Sequence, residues 1–246
     1  MDALRRLGEV APPYILATAG VVFVVLFFVD APYGRHQRDG WGPTVPARWG
    51  WVIMELPSVA LFGALWWTHP QRGELVVTVL GLAWLAHYGQ RTFLFPFLMR
   101  GGGRPHALLT VVMAVLFNVP NASANAVGLR ARPVDAAFVA GVGLFVAGMV
   151  VNLHADAVLR GLRRPGETGY RIPQGGAYRW VSSANYLGEI VEWVGFALAS
   201  GSLAAWAFAA FTFANLAPRA RSHHRWYRDR FPDYPPERRA LVPFIW

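Results

Sequence analysis

The chain contains no cysteine, which excludes disulfides, cysteine-ligated zinc, iron–sulfur clusters and thiol nucleophiles. Lysine is absent too, so all 23 basic residues are arginine and neither a Schiff base nor a lysine nucleophile can form. Charge is scarce: 15% of the 246 residues carry it, against about 25% in an ordinary soluble domain. A soluble cytosolic enzyme, a secreted scaffold and a disordered tail all fit that shortage poorly. What is abundant is apolar: 54% hydrophobic residues, 11 Trp, 16 Phe and a mean hydropathy of +0.31. This is the composition of an integral membrane protein. The formal charge of +9 would suggest nucleic acid if the arginines lined one soluble face. They cluster between apolar runs instead, so no nucleic-acid partner is expected.

Residues 11–29 form a run of 19 without a charge, longer than the roughly 7–15 apolar residues of a signal peptide and with no small-residue cleavage site after it. They read as a first membrane span. Further apolar stretches at 49–67, 75–99, 107–129, 134–159, 181–199 and 203–217 are each long enough to cross about 30 Å of hydrocarbon, the last being the shortest. The expectation is an all-α protein of seven transmembrane helices. Residues 193–218 form 26 positions without a charge and admit a single tilted span, or two spans broken at Ser200-Gly201-Ser202. Arginine counts decide for the break. With seven spans and the N-terminus outside, 17 arginines fall inside and 5 outside, with Arg91 within a span. That is the positive-inside asymmetry, with a cytoplasmic C-terminus. Six spans would put the Arg-rich 160–179 and 218–246 segments on opposite sides.

Charged groups inside spans are costly and are functional candidates by default. Glu55 lies seven residues from Arg48, and Arg91 nine residues from Arg100, roughly 10 and 13 Å deep at 1.5 Å per residue. The two can meet at one depth. Tyr88 is three residues from Arg91 and His87 four, so the third helix can turn Tyr88 and Arg91 into a shared cavity. The structural alternative is a Glu55–Arg91 ion pair that merely fixes two helices, with Tyr88 an interface anchor.

The C-terminal half carries a more specific pattern. Asn152, Asp156, Arg160 and Arg163 form one stripe down the fifth helix; Asn185 and Glu189 repeat the four-residue spacing, with Trp193 next; Arg219, His223 and Tyr227 repeat it again. Three polar stripes are too much hydrogen-bonding capacity for a dry bundle. A large polar ligand would satisfy them; a water-filled vestibule is the alternative. Between the fifth and sixth helices, Gly175-Gly176 permits close backbone approach, with Arg163, Arg164, Arg171 and Arg179 around it. A phosphate-rich ligand suits this loop, and so does anionic lipid. Other patterns fail: Gly141-Val-Gly143 lacks a third glycine and a preceding strand, and the adjacent His223 and His224 point about 100° apart, a poor metal pair. No metal is expected.

The chain resembles the steroid 5-alpha-reductase family in Arg48-Trp with Glu55-Leu-Pro-Ser58, His87-Tyr-x-x-Arg91, Asn152-Leu-His-x-Asp156, Tyr170-Arg-Ile-Pro-Gln-Gly-Gly176, Asn185-Tyr-Leu-Gly-Glu189 with Glu192-Trp193, and His223-His-x-Trp-Tyr227. The resemblance spans nearly the whole chain and is densest over 152–246. It implies a seven-helix reductase that uses NADPH to saturate the 4,5 double bond of a 3-oxo-4-ene steroid. Carried over by motif, Glu55 and Tyr88 match the pair at the substrate carbonyl, with Arg91, Trp51 and Arg104 expected on the substrate side. Asn152, Asp156, Arg163, Tyr170, Arg171, Asn185, Glu189, Arg219, His223 and Tyr227 match cofactor contacts. One membrane domain is implied, residues 1–130 holding the substrate and 131–246 the NADPH. The match departs at Met54, where steroid reductases carry Gln before the Glu, which bears on steroid geometry more than on the reaction.

Competing functions differ in what they require. A related reductase of polyprenols or enoyl thioesters would share the cofactor half, and a membrane isoprenylcysteine-type methyltransferase would use S-adenosylmethionine. The Arg-rich Gly-Gly loop and the Glu55/Tyr88 pair favour a phosphorylated cofactor. A transporter would show inverted repeats, and the sequence has none. The expected protein is a monomer in contact with membrane lipids and a steroid or similar flat lipid. Its Arg/Ala/Gly bias suggests a bacterial inner membrane, or the endoplasmic reticulum for a eukaryotic chain.

Overall fold

The computed structural model describes residues 1–30, 40–162, 167 and 169–246. Helices α1 (Asp2–Phe28), α2 (Ala47–Trp67), α3 (Leu75–Gly89), α4 (Phe95–Leu98), α5 (Leu108–Gly128), α6 (Ala136–Gly161), α7 (Ala184–Ser200) and α8 (Leu203–Arg230) account for most of the chain. Strands β1 (Thr44–Pro46) and β2 (Pro105–Ala107) pair antiparallel, Val45 opposite His106. The apolar runs became helices much as their lengths required. The division at 200–202 has local causes: Gly201 ends α7 at φ +66°, in left-handed space that glycine enters freely. Ser202 then caps α8 by accepting a hydrogen bond from the Ala205 N–H at 3.2 Å.

Two elements depart from the sequence expectation. The first helix begins at Asp2 rather than near residue 11 and absorbs Pro12 and Pro13. The third run is broken: α3 passes into a π turn over Gln90–Leu94 before α4. Pro96 lies at the start of α4 and has no N–H to donate back along a helix, and a widened turn accommodates that missing donor.

Four helices, α1, α2, α5 and α6, are long and apolar enough to cross a membrane. The others fall short for separate reasons. α3 has 15 residues and α7 has 17, while α8 has 28 but gathers its arginines in its C-terminal half. The outer surface carries large side chains such as Tyr14, Phe28, Leu116, Met113 and Val139, a surface a bilayer covers and water does not tolerate. The protein is a membrane protein built mainly of helices.

Consecutive long helices run antiparallel. At one end Arg5 donates to the Thr68 carbonyl at 3.1 Å, the Ala131 N–H to Gln71 Oε1 at 3.0 Å, and Arg132 to the Leu198 and Ala199 carbonyls at 3.4 and 3.3 Å. At the other end Arg225 pairs with Asp30 at 3.3 Å, and the Arg48 N–H donates to the Gly102 carbonyl at 2.8 Å.

Lipid tails are as apolar as leucine, so helices in a bilayer associate through close packing rather than hydrophobic burial. The α6–α7 seam is built that way. A Cβ placed on Gly148 would fall on the Glu192 backbone nitrogen, and one on Gly188 would fall on the Asn152 nitrogen. Gly141 and Gly195 stand one heptad further along in the same relation to Ala199 and Phe145. The near contact of the two backbones brings the polar stripes of α6 and α7 side by side. Against them packs an aromatic core centred on Trp84, with Phe62 stacked at 4.6 Å and Tyr88, Trp193 and Phe208 at 4.8, 5.2 and 5.6 Å.

Candidate active site

One polar cluster lies inside the bundle where α2, α3, α6 and α7 meet. Arg91, in the π turn, pairs with Asp156 of α6 at 3.5 Å, both side chains largely buried. Asn185 of α7 donates to Asp156 Oδ1 at 3.3 Å. Asn152 donates to the Asn185 carbonyl at 2.9 Å and to Glu189 Oε2 at 3.5 Å. The α6 and α7 stripes therefore meet directly.

The Glu55–Arg91 ion pair weighed from the sequence is not what forms: Asp156 takes Arg91, and Glu55 lies within electrostatic range of Arg91, Glu189 and His87. Beyond the α-helical register of α3, Arg91 reaches α6. Asn118 of α5 holds the α2 backbone beside Glu55 by donating to the Met54 carbonyl at 2.6 Å. Tyr88 is buried among Trp84, His87 and Trp193, and Glu55, Glu189 and Arg91 surround it electrostatically. The Arg91 guanidinium lies 4.9 Å from the Trp51 ring and 4.5 Å from that of Phe95. Trp51 thus borders the cluster. Arg104 does not: it is exposed at the start of the ribbon, its carbonyl accepting from the Ala47 N–H at 2.9 Å.

The remaining predicted residues gather at the Arg-rich end. Arg219 donates to the Tyr186 hydroxyl at 2.8 Å, and the His223 ring lies 5.4 Å from that of Tyr186, so the α8 stripe joins α7 through a tyrosine outside the predicted pattern. Tyr227 stacks on Tyr234 at 5.3 Å, and Tyr170 meets Trp226 edge-on at 4.9 Å. Arg171 is exposed and pairs with Glu167 at 3.3 Å. Arg163 lies outside the described residues. Gly175 and Gly176 both have positive φ, +86° and +51°, and a Cβ on Gly176 would strike the His154 ring.

The C-terminal segment clamps this loop. Arg238, 3% exposed, donates to the Pro173 carbonyl at 2.9 Å and to Gln174 Oε1 at 2.6 Å. Ser182 Oγ is 2.6 Å from His224 Nδ1 and 2.7 Å from the Tyr234 hydroxyl. Burial, with Arg228 and Arg239 nearby, holds His224 below the usual histidine range. The sequence reading missed this clamp, whose partners are 42 to 65 residues apart.

It also gave no role to the His87–Glu192 pair, 2.7 Å apart and 4% and 0% exposed. The rule that singles out Glu55, a carboxyl inside a span, applies equally to Glu192. Among the described residues no group of acidic or histidine side chains could hold a metal ion. Among the described residues, Arg160 Nη1 and Ser183 Oγ are buried without a hydrogen-bond partner beside the Asn185 end of the cluster. Such uncommitted donors, near a basic loop with a glycine pair, fit the oxygens of a phosphorylated ligand.

A family model described as 3-oxo-5-alpha-steroid 4-dehydrogenase matches residues 104–246. The chain is similar to 3-oxo-5-alpha-steroid 4-dehydrogenase 1 of Mus musculus, 47% identical over 92% of each chain, and to that of Bos taurus, 42% identical over the full length of both. It is 41% identical to 3-oxo-5-alpha-steroid 4-dehydrogenase 2 of Homo sapiens, over 93% of this chain and 94% of that protein.

Proposed function

Because the chain belongs to the 3-oxo-5-alpha-steroid 4-dehydrogenase family, we propose that it reduces the 4,5 double bond of a 3-oxo-4-ene steroid with NADPH. The observation that carries this reading is the Arg91–Asp156 contact. It joins the Glu55/Tyr88 end of the cluster to the Asn152/Asp156/Asn185 end, so a carbonyl bound at the first end lies close to a ligand bound at the second.

The chemistry asks for this arrangement. When bound, NADPH would supply a hydride to C5; the electron pair of the double bond moves toward the C3 carbonyl oxygen, and C4 then takes a proton from water as the enolate returns to the ketone. Tyr88 donates its phenolic hydrogen to that oxygen, and Glu55 in its acid form donates a second, stabilising the enolate as charge develops. Aromatic walls from Trp84 and Trp193 keep water from the reacting atoms. Trp51 and Arg91 are assigned to the substrate side, and Arg104, exposed outside the cluster, is not. Asn152, Asp156, Asn185 and Glu189 are assigned to the nicotinamide end, and Arg163, Tyr170, Arg171, Arg219, His223 and Tyr227 to the phosphates and adenosine. Residues 1–130 thus hold mainly substrate and 131–246 mainly cofactor.

The proposed topology is seven crossings in a monomer, N-terminus outside and C-terminus cytoplasmic, in a bacterial inner membrane or, for a eukaryotic chain, the endoplasmic reticulum. The antiparallel order of the long helices and the 17-to-5 arginine division support it. The test is NADPH oxidation by purified protein against a panel of steroid enones, polyprenols and enoyl thioesters. Steroid-dependent oxidation is expected; oxidation with enoyl thioesters alone would overturn the substrate assignment. Tyr88→Phe and Glu55→Gln should each slow reduction by about 10²–10³ while NADPH still binds. Arg163→Ala should weaken NADPH binding more than turnover at saturation.

A further inference from the structure

The His87–Glu192 pair touches the site without a part in the reaction as described. Glu192 lies on α7 and is fully buried, and among the described residues its Oε2 has no hydrogen-bond partner. Its one recorded hydrogen bond, Oε1 to His87 Nδ1 at 2.7 Å, crosses from α7 to α3. A carboxylate buried at that cost and bonded through a single oxygen is a poor device for stability alone: apolar side chains of the same volume serve as well or better.

What the bond fixes is the imidazole. Nδ1–H donates to the carboxylate, which sets the tautomer and prevents the ring from flipping about its last torsion. The ring is wedged between two aromatic faces, edge-on to Tyr88 at 4.9 Å and 75° and to Trp193 at 4.7 Å and 69°. Trp84 also packs on Tyr88, at 4.8 Å. The phenol ring is thus held by tryptophan packing and by a histidine that Glu192 orients.

We propose that Glu192 is a positioning residue for Tyr88, acting through the 2.7 Å hydrogen bond that orients the His87 ring against the phenol. The inference rests on the reading that Tyr88 donates to the substrate carbonyl. Misplacing a catalytic group by about 1 Å costs on the order of 10²-fold, so loss of the orienting bond should slow the hydride step by about 10- to 100-fold.

The test measures single-turnover oxidation of NADPH with progesterone as the enone, NADPH affinity by tryptophan fluorescence, and both again in a Tyr88→Phe background. Glu192→Gln keeps an acceptor for Nδ1–H and should stay within about threefold of wild type. Replacing both partners, His87→Phe with Glu192→Leu, keeps the space filled and leaves no orphaned polar group, so the protein should fold. It should lose about 10- to 100-fold in the chemical step with NADPH affinity unchanged, and that loss should vanish when Tyr88 is already Phe. An equal loss in the Tyr88→Phe background, a loss confined to NADPH affinity, a full-speed paired variant or a paired variant that does not fold would each overturn the proposal. So would a Glu192→Gln enzyme as slow as the paired variant. A Tyr88→Phe enzyme that is itself as fast as wild type is a separate result: it would overturn the role of Tyr88, and the proposal with it.

Discussion

The α6–α7 seam can be tested by one methyl group. In Gly148→Ala the new Cβ falls on the Glu192 backbone nitrogen and close to the Gly188 carbonyl, far inside any distance real Cβ atoms keep. Neither obstacle is the tip of a flexible side chain, so the helices themselves must part. Forcing an extra methyl into a packed core costs about 1–3 kcal/mol. In Gly143→Ala, five residues earlier on the same helix, the added methyl meets nothing within 4 Å. There alanine should stabilise by about 0.5–1 kcal/mol through its better helix propensity. The two variants should therefore differ by roughly 1.5–4 kcal/mol, with Gly148→Ala below wild type and Gly143→Ala at or above it. Thermal unfolding in detergent, compared side by side, reads the difference. Activity should follow, because separating α6 from α7 breaks the Asn152–Asn185 and Asn185–Asp156 hydrogen bonds. Equal melting temperatures for the two variants would refute the claim that backbone contact through glycine builds this seam.

Three further outcomes follow from the site and the clamp. Arg91→Ala should destabilise the protein by about 3–5 kcal/mol, since it leaves Asp156 buried and unpaired, whereas Glu55→Gln, which orphans no arginine, should leave the melting temperature nearly unchanged; thermal unfolding checks both. Arg238→Ala should raise the Kd for NADPH several-fold with little change in kcat, because it frees the Pro173 carbonyl and the Gln174 side chain of the loop; fluorescence titration measures it. His224 is held below its ordinary range, so the folded protein binds its proton less readily than the unfolded chain does. The stability this contributes is complete above the ordinary histidine range and is lost as pH falls through that range toward the folded value. Melting between pH 8 and pH 5 should therefore show a decline that His224→Asn reduces.

Much of the helical layout was legible because long apolar runs separated by arginines leave few alternatives in a bilayer. The break at Ser200-Gly201-Ser202 was legible for a local reason, since a glycine stop and a serine cap sit in adjacent positions. The start of α1 was not, because hydropathy reports what lipid can cover and is silent on a polar helix that continues beyond it. The π turn was hidden for another reason: Pro96 signals a missing donor but does not say whether a helix kinks, stops or widens. The stripes of α6 and α7 could be read from four-residue spacing. Their contact depended on Gly148 and Gly188, which lie 40 residues apart and have meaning only as a facing pair. Asp156 was not foreseen as the partner of Arg91, for which Glu55 was the one alternative weighed, because depth along a helix does not fix the direction in which a side chain leaves it.

The most direct measurement follows the hydride. Purified protein is given NADPH carrying deuterium at the transferred position and a 3-oxo-4-ene steroid, and the product is examined by mass spectrometry and NMR. The account predicts a saturated ketone with deuterium at C5, formed at wild-type rate by the native protein and about 10²–10³ more slowly by Tyr88→Phe. Deuterium on C3 as an alcohol, with the ring double bond intact, or no transfer of deuterium from NADPH at all, would contradict it.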